Sequence, residues 1–142
     1  MGTKWAGNDL VVTIDATTKD EVKRVMFRVV EIADMVLSNA AQDMVETIST
    51  TPSSINKKKD NRIDTGLMKN SIDVEDMHVV GKGSYSGSAG WIDLVEDYFL
   101  VQEYGGRSQG LRKGDRRITP MHALSKAFYK MQGELENELK HI

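Results

Sequence analysis

The residues able to do chemistry in this chain are few and scattered. The histidines are His78, His122 and His141, far apart and in no H-E-x-x-H pattern, so no metal site is expected. There is no Cys, which removes thiolate ligands, cysteine nucleophiles and disulfides together and suits a reducing compartment. No G-x-S-x-G elbow is present, and Gly81-Lys82-Gly83-Ser84 and Gly87-Ser88-Ala89-Gly90 are too short for a phosphate-binding P-loop. These glycines read as turn positions, and Gly87 and Gly90 as a bulge or a close backbone approach. The pair Glu96 and Asp97 reads as a solvated helix start, where the macrodipole favours acids. The predicted protein is therefore not an enzyme and carries no cofactor.

Charge is the one chemical feature left. Between Gly105 and Arg117 the cations Arg107, Arg112, Lys113, Arg116 and Arg117 face one acid, Asp115, a net of four positive. The whole chain carries −2, so the remainder is strongly acidic and this loop is where polyanions or carboxylates are drawn. Arginine forks onto phosphate, but no aromatic alternates with these arginines, so a base-stacking platform is not suggested. A second positive stretch holds Lys57, Lys58, Lys59 and Arg62 against Asp60. It reads as a soluble loop.

These loops hang on elements with clear periodicity. Residues 10–15 alternate with β-branched side chains and predict a strand. Thr18 and Glu21 fit a capping box. Val22, Val25, Met26, Val29, Ala33, Val36, Ala40, Met44 and Ile48 then mark one face of a helix that no Gly or Pro interrupts before Pro52. Over 18–50 that helix spans roughly 45–50 Å and needs more than one partner to cover it. Asp64 or Thr65 can cap a short turn, residues 72–80 and 85–94 predict a hairpin, and Gly105 is a natural stop for a short helix over 95–104. Thr119 and Pro120 open the last helix, whose apolar face is Leu124, Ala127, Phe128, Met131, Leu135 and Leu139. The expectation is one α+β domain over 1–142: an N-terminal strand and long helix, an antiparallel hairpin or small sheet, a short helix and a C-terminal helix, with mobile loops near 52–63 and 105–117. At 142 residues, one core suffices. No apolar run is long enough for a membrane span, and Met1 to Trp5 show no signal peptide.

Three segments, in order, carry a resemblance. They are Thr65-Gly66-Leu67-Met68-Lys69-Asn70-Ser71-Ile72, then Tyr98 through Gln102-Glu103-Tyr104-Gly105, then Ile118-Thr119-Pro120-Met121-His122-Ala123-Leu124. They resemble the T-G-x-L-x-x-S-I, Y-x-x-x-x-E-[FY]-G-T and I-x-P-x-P-[FA]-[LM] signatures of the head–tail joining, or tail-completion, proteins of long-tailed double-stranded DNA phages. The likeness runs from about residue 10 to 139. It departs in three places: Leu67 and Met68 follow Gly66 directly, Gly106 stands where the family has Thr, and His122 stands at its second Pro. What the resemblance implies is a virion protein of the neck, made in the host cytoplasm and without enzymatic activity. It would be a homo-oligomeric ring, hexameric in expectation, between the head connector and the tail tube or tail terminator, with DNA passing through the lumen. Thr65, Gly66, Ser71, Tyr98, Glu103, Tyr104, Gly105 and Pro120 are then structural motif positions, and the basic loop is a partner contact. Met26, Met35, Met44 and Met131 would add adaptable contact surface. The competing expectation is a small DNA-binding or regulatory protein that uses the loop 105–117.

Overall fold

The computed structural model describes residues 2–5, 7–15, 20–56, 58–63, 65–81, 83–107 and 117–141, with backbone alone for 20–25 and 107. The fold is α+β, as the periodicity predicts. A four-stranded antiparallel sheet holds β1 (Gly2–Trp5), β2 (Asp9–Asp15), β3 (Asp73–Gly81) and β4 (Ser84–Gly90) in the order β1-β2-β4-β3. The strand β1 was not expected, because four residues carry no readable alternation. It pairs with β2 from Gly2 opposite Thr13 to Trp5 opposite Leu10. Along β2 the burial alternates, with Leu10, Val12 and Ile14 inside, as a sheet covered on one face requires.

The cover is α1 (Asp20–Thr50) and α4 (Ala123–Leu139). With 31 residues α1 is about 46 Å long. It buries Met26, Val29, Ala33, Val36, Ala40, Met44 and Ile48 of the expected face, and Ile32 and Leu37 beside them. The capping residue Thr18 and the side chains of Val22 and Val25 lie outside the described set. The two helices run antiparallel: Asn39 donates to Glu134 at 3.4 Å and Lys130 meets Asp43 at 3.1 Å. So the long apolar face is absorbed by the sheet and α4 together. Met26, Met44 and Met131 are core residues, not contact surface; of the four methionines above, Met35 alone is exposed.

Glycine sets how closely α1 lies on the sheet. A Cβ at Gly87 would sit 2.9 Å from the Leu37 Cδ1 and 2.8 Å from the Met77 sulfur. Opposite it β3 bulges between Glu75 and His78, and the Met77 N–H freed from the ladder donates to the Asp34 carboxylate at 2.7 Å. The strand β4 stops at Gly90, short of the expected 94. Gly90 has φ +136, and Trp91 turns fully inward, its N–H donating to the Asn8 carbonyl.

Two shorter helices complete the chain: α2 (Leu67–Asn70) and α3 (Asp97–Tyr104). The segment 105–117 is not loop throughout. It begins and ends in a two-stranded ribbon, β5 (Gly106–Arg107) paired with β6 (Arg117–Ile118). Helix α4 starts at Ala123, so Thr119 and Pro120 do not open it as expected. Among the described residues no helix is long and apolar enough to cross a membrane.

Candidate functional site

The second and third family-like segments meet at one junction, where α3 hands the chain to the N-terminus of α4. Helix α4 has no side-chain cap of its own; His122, at φ +61, is its N-cap residue. That φ excludes proline, so His at this position goes with the local backbone. The missing cap comes from Glu103. Its two carboxylate oxygens accept the Leu124 N–H at 2.7 and 3.0 Å, and the Ala123 N–H also bonds to it. A carboxylate at a helix N-terminus answers orphan donors and the dipole at once. Glu103 is only 1% exposed. Burial raises its pKa from 4.5 to about 7, against the lowering pull of the Leu124 and Ala123 N–H groups and of Lys126.

The neighbours of Glu103 hold the same corner. Met121 donates its N–H to the Gln102 carbonyl at 2.8 Å. Gly105 ends α3 at φ +80, and a Cβ there would meet the Ile118 carbonyl oxygen and the Pro120 Cδ, each at 3.0 Å. Pro120 therefore packs against Gly105 instead of starting a helix. Tyr104 stacks on Trp5 at 5.9 Å, and its hydroxyl donates to the Gly7 carbonyl. That clamps the edge strand β1 to α3. Tyr98 is largely exposed and lies edge-on to the buried Phe99 at 4.7 Å.

The first family-like segment joins this corner indirectly. Gly66, at φ +85, is the N-cap residue of α2, and the Thr65 hydroxyl accepts the Leu67 N–H at 3.3 Å. Asp64 lies outside the described residues. Ser71 is buried at the C-terminal end of α2. The Met68 carbonyl takes the Trp91 indole N–H at 2.9 Å, and Trp91 lies 5.6 Å from Phe99 of α3. Seven of the eight motif positions thus sit in or beside backbone junctions; Tyr98 lies within α3 and is exposed.

The sequence marks Arg62 only as part of a positive, soluble loop. The structure gives it a central place. It is 9% exposed, and burial lowers its pKa from the ordinary arginine value. Its Nε donates to the Pro52 carbonyl, Nη1 to the Gln102 side chain and the Thr119 carbonyl, and Nη2 to the Thr119 hydroxyl. One side chain thereby ties the end of α1, α3 and the segment before α4. No spacing rule marks it, because every partner is distant in sequence except Pro52. The loop around it is hydrogen-bonded too: Ser53 Oγ accepts the N–H groups of Ile55 and Asn56, and Asn56 Oδ1 accepts that of Lys58. Lys57 lies outside the described residues.

The basic segment is described only at its stem. Arg112, Lys113 and Arg116 lie outside the described residues, as does the side chain of Arg107. Arg117 is exposed on β6, and the register sets positions 107 and 117 opposite each other. Like charges at opposed positions of an antiparallel pair disfavour the ribbon unless an anion lies across them. Among the described residues no cluster of His, Asp and Glu could hold a metal ion. No family model, curated protein or solved structure matches the chain.

Proposed function

We propose that this protein is a structural adaptor of a phage neck, a ring-forming head–tail joining or tail-completion protein with no reaction of its own. The observation that carries the reading is the order of the three family-like segments along the chain. Their placement supports it: each serves a backbone junction, the role expected of positions that preserve a shape and not a reaction. The basic stem, with arginines at opposed positions, supports a surface that meets an acidic neighbour. In a ring of copies, such loops pointing one way gather positive charge at one rim. A channel that must let DNA slide out is poorly served by a tight arginine collar. The loop therefore meets carboxylates of the adjoining head connector or tail protein, adding register more than affinity.

Exposed apolar side chains on α1 fit contact between copies. Phe27 is 79% exposed, and Met35 lies two turns further on. A heterologous contact of this kind closes into a ring when its rotation permits. The test is the mass and copy number of the protein in purified neck complexes. Six copies per particle are expected; one copy, or absence from virions, overturns the proposal. The free protein is then assayed with duplex DNA over a salt series. Tight, salt-dependent duplex binding without self-association would favour the DNA-binding alternative instead.

A further inference from the structure

Beside Arg62 lies a cavity of about 290 Å³, lined among others by Ser53, Asn56, Lys59, Tyr98 and Gln102. Its walls combine two cations with amide and hydroxyl groups and an aromatic ring. Arg62 is the buried member, and all four of its hydrogen bonds go to neutral oxygens: two carbonyls, an amide and a hydroxyl. Neutral acceptors satisfy its geometry but not its charge, and a buried charge is best balanced by a counter-charge. Among the described residues, neither Arg62 nor Lys59 has a carboxylate within ion-pair distance. We propose that this pocket seats the carboxylate of an acidic side chain from another polypeptide.

The small number of free donors, together with an apolar wall, favours the carboxylate of a side chain. Four of the five guanidinium N–H groups are spent, which leaves one on Nη2. A single N–H cannot by itself form the two-pronged fork that arginine lays on an anion, so a second donor is needed. Together with the point charge of Lys59 it supplies two donors, matched to the two oxygens of one carboxylate. The cavity exceeds one carboxylate in volume, and Ile55 and Tyr98 give it an apolar wall. A glutamate, whose methylenes precede its charge, fits such a wall together with some flanking backbone. The sequence 57–62 carries a net of three positive, which draws an acidic segment. A nucleic-acid track instead needs a groove with a row of cations, and two converge here. The pocket holds or fails independently of whether the protein forms rings.

The experiment uses the full chain, isotope-labelled for amide NMR, at one fixed ionic strength. Four probes are titrated: a capped Gly-Glu-Glu-Gly peptide, its Gly-Gln-Gln-Gly counterpart, inorganic phosphate and a deoxythymidine decamer. The glutamate peptide should shift the amides of Lys59, Asn61, Arg62 and Gln102, and the glutamine peptide should not. Lys59→Gln should weaken the peptide about fivefold, the scale of one partly exposed charged contact, while Lys59→Arg retains it. Asn56→Asp keeps the oxygen that accepts the Lys58 N–H and places a carboxylate inside the pocket, so it should abolish peptide binding in a folded protein. Equal shifts with the glutamine peptide, an unchanged affinity in both Lys59→Gln and Asn56→Asp, or stronger shifts with phosphate or the decamer would overturn the proposal.

Discussion

Replacing Glu103 by Gln isolates the charge of a carboxylate that is fully enclosed yet caps a helix. An acid whose pKa rises from 4.5 to about 7 on folding binds its proton more tightly in the folded chain than in the unfolded one. The sign follows. The stability it contributes is fully present below about pH 4.5 and is lost as pH rises through about 7. At 1.36 kcal/mol per pKa unit the loss has a ceiling of about 3 kcal/mol. For a chain of this size that is roughly 6–10 °C in Tm. Gln keeps the shape and one oxygen for the Leu124 N–H but cannot ionise. Thermal unfolding of wild type and Glu103→Gln between pH 4.5 and 8 reads the effect as the difference between the two curves, which cancels every other titrating group. Wild-type stability relative to Gln should fall steadily as pH rises, by up to about 3 kcal/mol between pH 4.5 and 8. Glu103→Ala should lie about 1–3 kcal/mol below Glu103→Gln at every pH, because it strands the Leu124 N–H. A wild-type advantage that grows between pH 5 and 8 would show that the ionised carboxylate is the favoured form, and the burial argument would be wrong.

Other outcomes follow from the same contacts. Gly105→Val should lower stability by about 2–3 kcal/mol, since a β-branched residue at positive φ is strained and its Cβ meets the Ile118 carbonyl and Pro120; an unchanged Tm refutes this. Arg62→Met should destabilise by about 3 kcal/mol, because the Thr119 and Pro52 carbonyls lose their donor; urea unfolding measures it. Phe27→Ser should leave Tm within about 1 °C, since the ring is exposed, while lowering neck assembly; normal assembly would remove α1 from the copy–copy contact. Changing Arg112, Lys113, Arg116 and Arg117 together to Ser should block joining of heads to tails while packaged DNA stays in the heads. Normal joining with altered DNA retention or ejection would place the loop on DNA.

What could be read from the sequence were the features set by local period. The burial stripe of α1 and the inward residues of β2 follow from spacing alone, because one buried face imposes 3.6 or 2.0 on the apolar positions. The close approach at Gly87 was legible for a similar reason: a strand glycine gives up packing and must be repaid by proximity. Legibility failed wherever a distant residue replaces a local signal. Thr119 and Pro120 have the composition of a helix start, yet Arg62 draws on the Thr119 side chain and carbonyl, and Pro120 packs on Gly105. The helix opens three residues later under a cap that belongs to Glu103, twenty-one positions upstream of its acceptor-seeking N–H on Leu124. Capping rules look for the oxygen next to the helix, and here it is supplied across the fold.

The same displacement explains what the candidate site is made of. Glu103 and Arg62 are opposite charges on adjoining segments, and neither pairs with the other; Glu103 is spent on backbone N–H groups and Arg62 on neutral carbonyl, amide and hydroxyl oxygens. Glu103 is enclosed by the N–H groups it caps and offers nothing to a partner. Arg62 borders an open cavity beside a second cation and carries an unspent donor. The carboxylate therefore belongs to the fold, and the guanidinium belongs both to the fold and to whatever acid enters from outside. Removing each should separate the two roles: Glu103→Gln alters stability with pH and leaves peptide binding intact, whereas Lys59→Gln weakens peptide binding and leaves the unfolding curve where it was.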